Sequence, residues 1–271
     1  MRAPRRREFE MTMSYGRFFA ALIFGTLVGG VNLAAPASAA DGTALWDIVS
    51  QECVPHLLAN RDPSPCEHIN DAGTPAGIAI LKDRIGATHF LAIPTRRISG
   101  IESPEILGDD AQNWFARAWD ARRYVFARLG KDLSRDNIGL AINSKISRSQ
   151  GQLHIHIECV LPEVKSALAD IKARIASEWS SDTITISGKK YRVRRIDQPA
   201  LDGINPFHLV ALGPEKERID MGRATIVIVG ATFDAGHDGF ILLAGHADTA
   251  EDYGHGSSLL DRWCAVGRGD P

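Results

Sequence analysis

The 271-residue chain carries 31 Lys and Arg against 33 Asp and Glu, a formal net charge of −2. That balance leaves no footprint for a polyanion and argues against nucleic-acid binding. The length holds one large domain or two small ones.

The first 40 residues stand apart from the rest. Arg2, Arg5, Arg6, Arg7 and Arg17 precede an apolar stretch over 18–33, and Ala37-Ser38-Ala39 follows as a small-x-small cleavage signal. Residues 1–40 therefore read as a bacterial-type secretory signal, with Met11 or Met13 as alternative starts. An uncleaved membrane anchor is the competing reading, since about twenty residues just span a bilayer. Gly25, Gly29, Gly30 and Asn32 weaken that reading. Either way the folded part is expected outside the cytoplasm, in the periplasm or on the periplasmic side of the inner membrane. Losing the segment removes five Arg and two Glu and moves the net charge from −2 to −5.

Four cysteines remain, Cys53, Cys66, Cys159 and Cys264. An even number in an exported chain suggests two disulfides, with three pairings open. Cys53 and Cys66 close a short loop rich in turn residues, Asn60-Arg61-Asp62-Pro63-Ser64-Pro65, which favours that pair and leaves Cys159 for Cys264. A four-cysteine zinc site is the alternative, but no Cys-x-x-Cys spacing supports it.

Residues 43–58 read as a helix with Leu45, Trp46, Ile48 and Val49 as its apolar positions. Strands over 76–82 and 89–93 flank an Asp83-Arg84-Ile85-Gly86 turn, a hairpin pattern. Asp109 or Asp110 is expected to cap a helix over 111–129, whose Trp114, Phe115, Ala118, Trp119, Val125, Phe126 and Leu129 share one face and which Gly130 ends. Strands follow at Ile138 and His154, and Pro162 opens a helix through Leu168, Ile171, Ile175 and Trp179. Shorter strands are then expected over 183–187, 190–196, 207–212, 225–231 and 239–244. No long Pro- or Ser-rich linker interrupts the chain. The expectation is one α+β domain over 41–271, with antiparallel sheets and covering helices.

The most informative stretch is Gln152-Leu153-His154-Ile155-His156-Ile157-Glu158. Its alternation predicts a strand that turns Leu153, Ile155, Ile157 and Cys159 toward a core. Gln152, His154, His156 and Glu158 then line the other face. Two histidines so placed supply a nucleophile and a proton donor to one substrate, or two ligands to one metal; a solvated strand face is the plain alternative. The preceding apolar strand ends in Asn143-Ser144 and leads through a polar turn containing Lys145, Arg148, Ser149, Gln150 and Gly151. Such a hairpin tip suits a phosphate.

The stretch Ala87-Thr88-His89-Phe90-Leu91-Ala92-Ile93-Pro94-Thr95-Arg96-Arg97-Ile98 resembles the central hairpin of the histidine triad (HIT) superfamily. There an alternating histidine strand comes later, behind an Asn and a Ser/Gln phosphate loop, and Asn143, Ser149, Gln150, His154 and His156 match that arrangement. More specifically, residues 46–66, 96–104 and 140–162, together with Cys264, look like the bacterial CDP-diacylglycerol pyrophosphatases. The resemblance runs from about residue 44 to 265 and thins after Ser180. Gln152 departs from it, standing where the wider superfamily has His.

The resemblance implies a HIT-like antiparallel sheet with covering helices and a strand-rich C-terminal half. It implies hydrolysis of CDP-diacylglycerol to CMP and phosphatidate, in phospholipid metabolism, through a nucleotidyl-histidine intermediate. His154 would attack the CMP-side phosphorus, His156 would donate to phosphate oxygens, and Gln152 would keep only a hydrogen bond. Asn143, Ser149 and Gln150 would add neutral donors, His89 would orient His154, and Arg97 would pair with the diphosphate. No cofactor or metal is expected. The expected partner is a lipid-nucleotide at the membrane surface, with no nucleic acid and a homo-oligomer left open. Glu158 is expected past the active row, facing solvent. His237, His246 and His255 read as surface loop histidines, and Trp114, Phe115 and Trp119 offer apolar area for acyl chains if exposed. Two other readings remain: a nucleotidyl hydrolase or transferase acting on another nucleoside diphosphate ester, and a non-enzymatic exported protein binding metal through His154 and His156.

Overall fold

The computed structural model describes residues 42–213, 219–247 and 254–268, so the expected signal or anchor over 1–40 lies outside the described residues. Its centre is a ten-stranded antiparallel sheet. The strands are β1 (His68–Asn70), β2 (Ile78–Lys82), β3 (Phe90–Pro94), β4 (Ile138–Ile142), β5 (Ile155–Val160), β6 (Ile184–Ile186), β7 (Lys189–Ile196), β8 (Ala224–Thr232), β9 (Asp238–His246) and β10 (Leu260–Asp261). They are ordered β1-β2-β3-β5-β4-β8-β9-β7-β6, and β10 pairs β5 beyond the end of β3. The α+β class and the antiparallel pairing expected from the sequence are both present.

Helices cover both faces. On one face α3 (Trp114–Asp120), α4 (Arg123–Leu129) and α6 (Pro206–Ala211) enclose a core of Trp114, Phe115, Ile155, Ile157, Ile228 and Phe240. On the other face two separate clusters form. One lies under α5 (Pro162–Ile171) and contains Val164, Leu168, Val193, Val227 and Leu243. The second lies under the N-terminal helical run, α1 (Ala44–Asp47), a π-turn (Ile48–Cys53) and α2 (Val54–Asn60), and contains Val49, Cys53, Leu91 and Ile93.

That division positions the site. Directly paired residues of an antiparallel sheet share a face. Leu91 pairs with His156, His156 with Ala141, Ala141 with Val227, and Val227 with Leu243. Leu91 belongs to the N-terminal cluster, whereas Ala141 and its neighbours belong to the α5 cluster. The histidine row of β5 therefore fills the strip between two coverings of one sheet face.

Three expectations are corrected. The helix expected over 111–129 is two, because Arg122 Nη1 folds back onto the Trp119 carbonyl (2.7 Å) and stacks its guanidinium over the Trp119 ring at the break. Its cap is Asn113, which accepts from the Ala116 amide, not Asp109 or Asp110. The strand expected over 207–212 is α6, capped by Asn205 and opened by Pro206, with Phe207, Val210 and Ala211 buried at helical spacing. Finally, α5 stops at Ile171, short of Ile175 and Trp179. Trp114, Phe115 and Trp119 are core, leaving no exposed acyl surface there.

Both expected disulfides are formed, Cys53–Cys66 and Cys159–Cys264. A four-cysteine zinc site is thereby ruled out. The second bond ties α7 (Ala265–Arg268) and the segment before it to β5. Gly86, at φ +88°, and Gly139 leave room for that segment: a Cβ on the first would collide with Arg262, and one on the second with Leu260.

Candidate active site

The side chains of β5 alternate as expected, with Ile155, Ile157 and Cys159 in the larger core and His156 and Glu158 on the opposite face. That opposite face is not a solvated one. Glu158 is 0% exposed, His156 7% and His154 8%. Glu158, expected to face solvent, is fully buried, more so than either histidine.

His154 Nδ1 lies 2.7 Å from the Gln152 carbonyl, which can only accept, so Nδ1 carries the proton and Nε2 the lone pair. Burial, and next the neighbouring His156, lowers its pKa to about 3, so the ring is neutral at pH 7. The His154 and His156 rings meet edge to face with centroids 5.2 Å apart.

His156 Nδ1 lies 2.9 Å from His89 Nε2 and 3.4 Å from Glu158 Oε1. Glu158 Oε1 is in turn 3.1 Å from His89 Nε2, and Asp83 Oδ2 is 3.8 Å from His89 Nδ1. Thus His89 pairs with His156, stacked at 5.1 Å between centroids, and not with His154 as expected. Burial holds the His156 pKa at about 3, helped by the charge of Arg262, and that of His89 at about 4. Burial pushes Glu158 up to about 7 against the opposing influence of His89 and Arg262. Both Glu158 oxygens and His156 Nε2 are enclosed without a hydrogen-bond partner.

His89, His156 and Glu158 are the described residues whose ligand atoms converge enough to consider a metal, all within 4.8 Å of one another. Two nitrogens on a tetrahedral ion with bonds of about 2.0–2.1 Å would stand roughly 3.3 Å apart. The 2.9 Å separation here is a hydrogen-bond distance.

Gln152 does not join the row. Its amide donates to the Pro94 and Arg96 carbonyls (3.1 and 2.9 Å) and accepts from the Ile98 amide (3.3 Å), fixing the chain as it leaves β3. Asn143 holds the C-terminal segment, donating to Ser257 Oγ (3.1 Å) and accepting from the Ser257 amide (3.0 Å). Gln150 Oε1 accepts from the Leu45 amide (3.1 Å), and the Ser149 carbonyl accepts from the Gly42 amide (3.1 Å). Arg97 is exposed, with its guanidinium 5.6 Å from the Trp46 ring. Ser149, Gln150 and Arg97 thus meet the N-terminal segment at Gly42, Leu45 and Trp46.

Sequence reasoning missed Arg262 and read His255, which is half-buried, as a surface loop histidine. Arg262 passes the β2–β3 turn, its carbonyl accepting from the Thr88 amide (3.1 Å), and its charge reaches His89, His156 and Glu158. His255 Nδ1 lies 3.2 Å from Ser147 Oγ, and burial lowers its pKa, followed by the charges of Lys189 and Arg262. The Cys159–Cys264 pairing was the available signal, because it brings position 262 beside the histidine strand. His237 remains exposed on its loop.

The sequence profile described as CDP-diacylglycerol pyrophosphatase matches residues 40–268. A protein of that name from Yersinia pestis is 41% identical over 224 residues, covering 82% of this chain and 84% of its own length. The first match spans the histidine row, the hairpin that faces it and the C-terminal segment that closes it. With a match of that extent over the whole sheet and site, the chain belongs to the CDP-diacylglycerol pyrophosphatase family.

Proposed function

We propose that this chain hydrolyses the diphosphate of CDP-diacylglycerol, releasing CMP and phosphatidate through a nucleotidyl-histidine intermediate on a HIT-like sheet. The membership carries the activity. The observation that carries the route is the 2.7 Å contact between His154 Nδ1 and the Gln152 carbonyl, which leaves a neutral imidazole with its lone pair on Nε2. A neutral, fixed imidazole is what attack on phosphorus needs.

In this reading His154 Nε2 forms a bond to the CMP-side phosphorus as the bond to the phosphatidate oxygen breaks. Water then displaces the histidine and releases CMP. His156 serves the proton traffic of both halves, and Arg262 adds positive charge near the phosphates. Asn143 acts through the C-terminal segment it holds.

A second reading exchanges the two histidines. It is favoured by the enclosed, unpartnered Nε2 of His156, whose Nδ1 is backed by His89 and Glu158. A base-supported nucleophile has that form.

We further propose export, with residues 1–40 as signal or anchor and 41–271 as one hydrolase domain on the periplasmic side of the inner membrane or in the periplasm. Two disulfides support an oxidising compartment. Among the described residues no helix is long and apolar enough to cross a membrane. The test is CMP release from CDP-diacylglycerol, run beside ADP-sugar and dinucleoside substrates. Wild type should prefer the lipid-nucleotide and His154→Ala should be inactive; preference for a soluble diphosphate ester would overturn the substrate.

A further inference from the structure

Three atoms face one another behind the histidine row: His89 Nε2, His156 Nδ1 and Glu158 Oε1, separated by 2.9, 3.1 and 3.4 Å. Deprotonated, each presents a lone pair, and three lone pairs do not pack this closely in a buried setting without a proton among them. The position of that proton decides what His156 does. On His156 Nδ1, it leaves Nε2 of a neutral ring as an acceptor. On His89 or Glu158, it points at Nδ1, and Nε2 then carries hydrogen as a donor.

We propose that Glu158, with His89, is a positioning residue that stores a proton for His156, so that Nε2 of His156 alternates between donor and acceptor in the two halves of the reaction. This rests on the proposed function with His154 as nucleophile. In the first half the N–P bond to His154 forms and the P–O bond to phosphatidate breaks. The Nε2 proton of His156 passes to the leaving oxygen, while the Glu158 proton, directly or through His89, enters Nδ1. In the second half water attacks phosphorus and the N–P bond breaks. A water proton goes to Nε2, and the Nδ1 proton returns to Glu158. Neither half builds up an imidazolate or imidazolium at His156, which burial disfavours.

Glu158 is suited to the task because both its oxygens are enclosed and otherwise unpartnered, and burial keeps its carboxyl protonated up to about pH 7. The charged and titratable groups around the trio come from several elements. Asp83 sits in the β2–β3 turn, His154 precedes β5, Asp261 lies in β10, and Arg262 follows it. His255 faces His156 from the C-terminal segment. Asp83 and Asp261 favour the protonated carboxyl, and Arg262 opposes them.

Glu158→Gln keeps the shape and cannot exchange the proton. We expect kcat to fall about 100-fold, KM to stay within about twofold, and the pH–rate limb near 7 to vanish; Glu158→Asp should recover part of the rate. A folded Glu158→Gln enzyme with wild-type kcat and pH profile would overturn the inference. Wild-type protein that releases no CMP would instead overturn the proposed function. A substrate-free measurement separates the two: nitrogen NMR of the ring tautomers. In wild type the His156 tautomer should change as Glu158 titrates between about pH 5 and 9. A fixed tautomer, or one zinc ion per chain replacing the proton, would overturn the proton store even if Glu158→Gln fails to fold.

Discussion

His89 Nε2 and His156 Nδ1 lie 2.9 Å apart across the β3–β5 pair, and both rings are enclosed. The contact ties the second histidine of the row to a residue 67 positions earlier. His89→Ala should lower kcat about 10- to 100-fold, within the usual range for an acid–base partner. His89→Gln, which retains an amide near the Nε2 position, should lose less. Equal losses in steady-state assays of the two variants would show that the contact only fills space.

Gln152 now reads as architecture. Replacing it with Ala strands the Ile98 amide and the Pro94 and Arg96 carbonyls in a fully buried position. Unsatisfied buried groups cost about 1–3 kcal/mol each before relaxation, so a total loss of about 2–4 kcal/mol is expected. Gln152→His should likewise lower stability and leave the pH–rate profile in place. Denaturant unfolding beside a pH–rate series checks both; a stable Gln152→His enzyme with a shifted profile would return this position to proton handling.

The Cys159–Cys264 bond closes a loop of 105 residues. Chain-entropy arguments give about 4–5 kcal/mol for a loop near that length, a model-dependent figure. Cys264→Ser should lower stability by an amount of that order. It should also weaken activity under conditions where the protein stays folded, because Arg262 and His255 are carried on the segment it tethers. Unfolding curves and turnover measured on the same samples test this.

Stability should also depend on pH. His154, His156 and His89 have folded pKa values depressed from 6.5 to about 3, 3 and 4. Below pH 6.5 the unfolded state binds more protons than the folded one. Their contribution is therefore present above pH 6.5 and lost as pH falls toward 4 and 3. Glu158 acts in the opposite direction: its carboxyl is raised from 4.5 to about 7, so its contribution is present below 4.5 and fades as pH rises through 7. The melting temperature of His156→Asn should fall less than that of wild type between pH 6.5 and 4. Parallel curves would remove His156 from the acid response.

The β5 alternation and the strand pairs were legible because period-two burial and short hairpins are local signals. So was the Cys53–Cys66 loop. The helix at 206–211 was not, because Phe207-His208-Leu209-Val210 reads as strand until the Asn205 cap and Pro206 are weighed together. In the site, sequence placed His154, His156 and Glu158 on one face but had no means of showing that His89 stacks beside His156 and that the C-terminal segment carrying Arg262 comes to lie against the row. Glu158 and Gln152 were misplaced for the same reason: a carboxylate at the strand end looks solvated, and an amide before the strand looks catalytic. Only the tertiary contacts reverse the two.

The proposed route passes through a covalent bond between the CMP phosphorus and a histidine of this row. The most direct measurement is an alkaline denaturing quench of enzyme mixed with CDP-diacylglycerol radiolabelled at the cytidine-side phosphorus, followed by peptide mapping at alkaline pH. An acid-labile, alkali-stable label is expected on His154, absent in His154→Ala and accumulating when water attack is slowed. Label on His156 would give that residue the nucleophile's role. Full turnover with no labelled histidine at any quench time would contradict the covalent route.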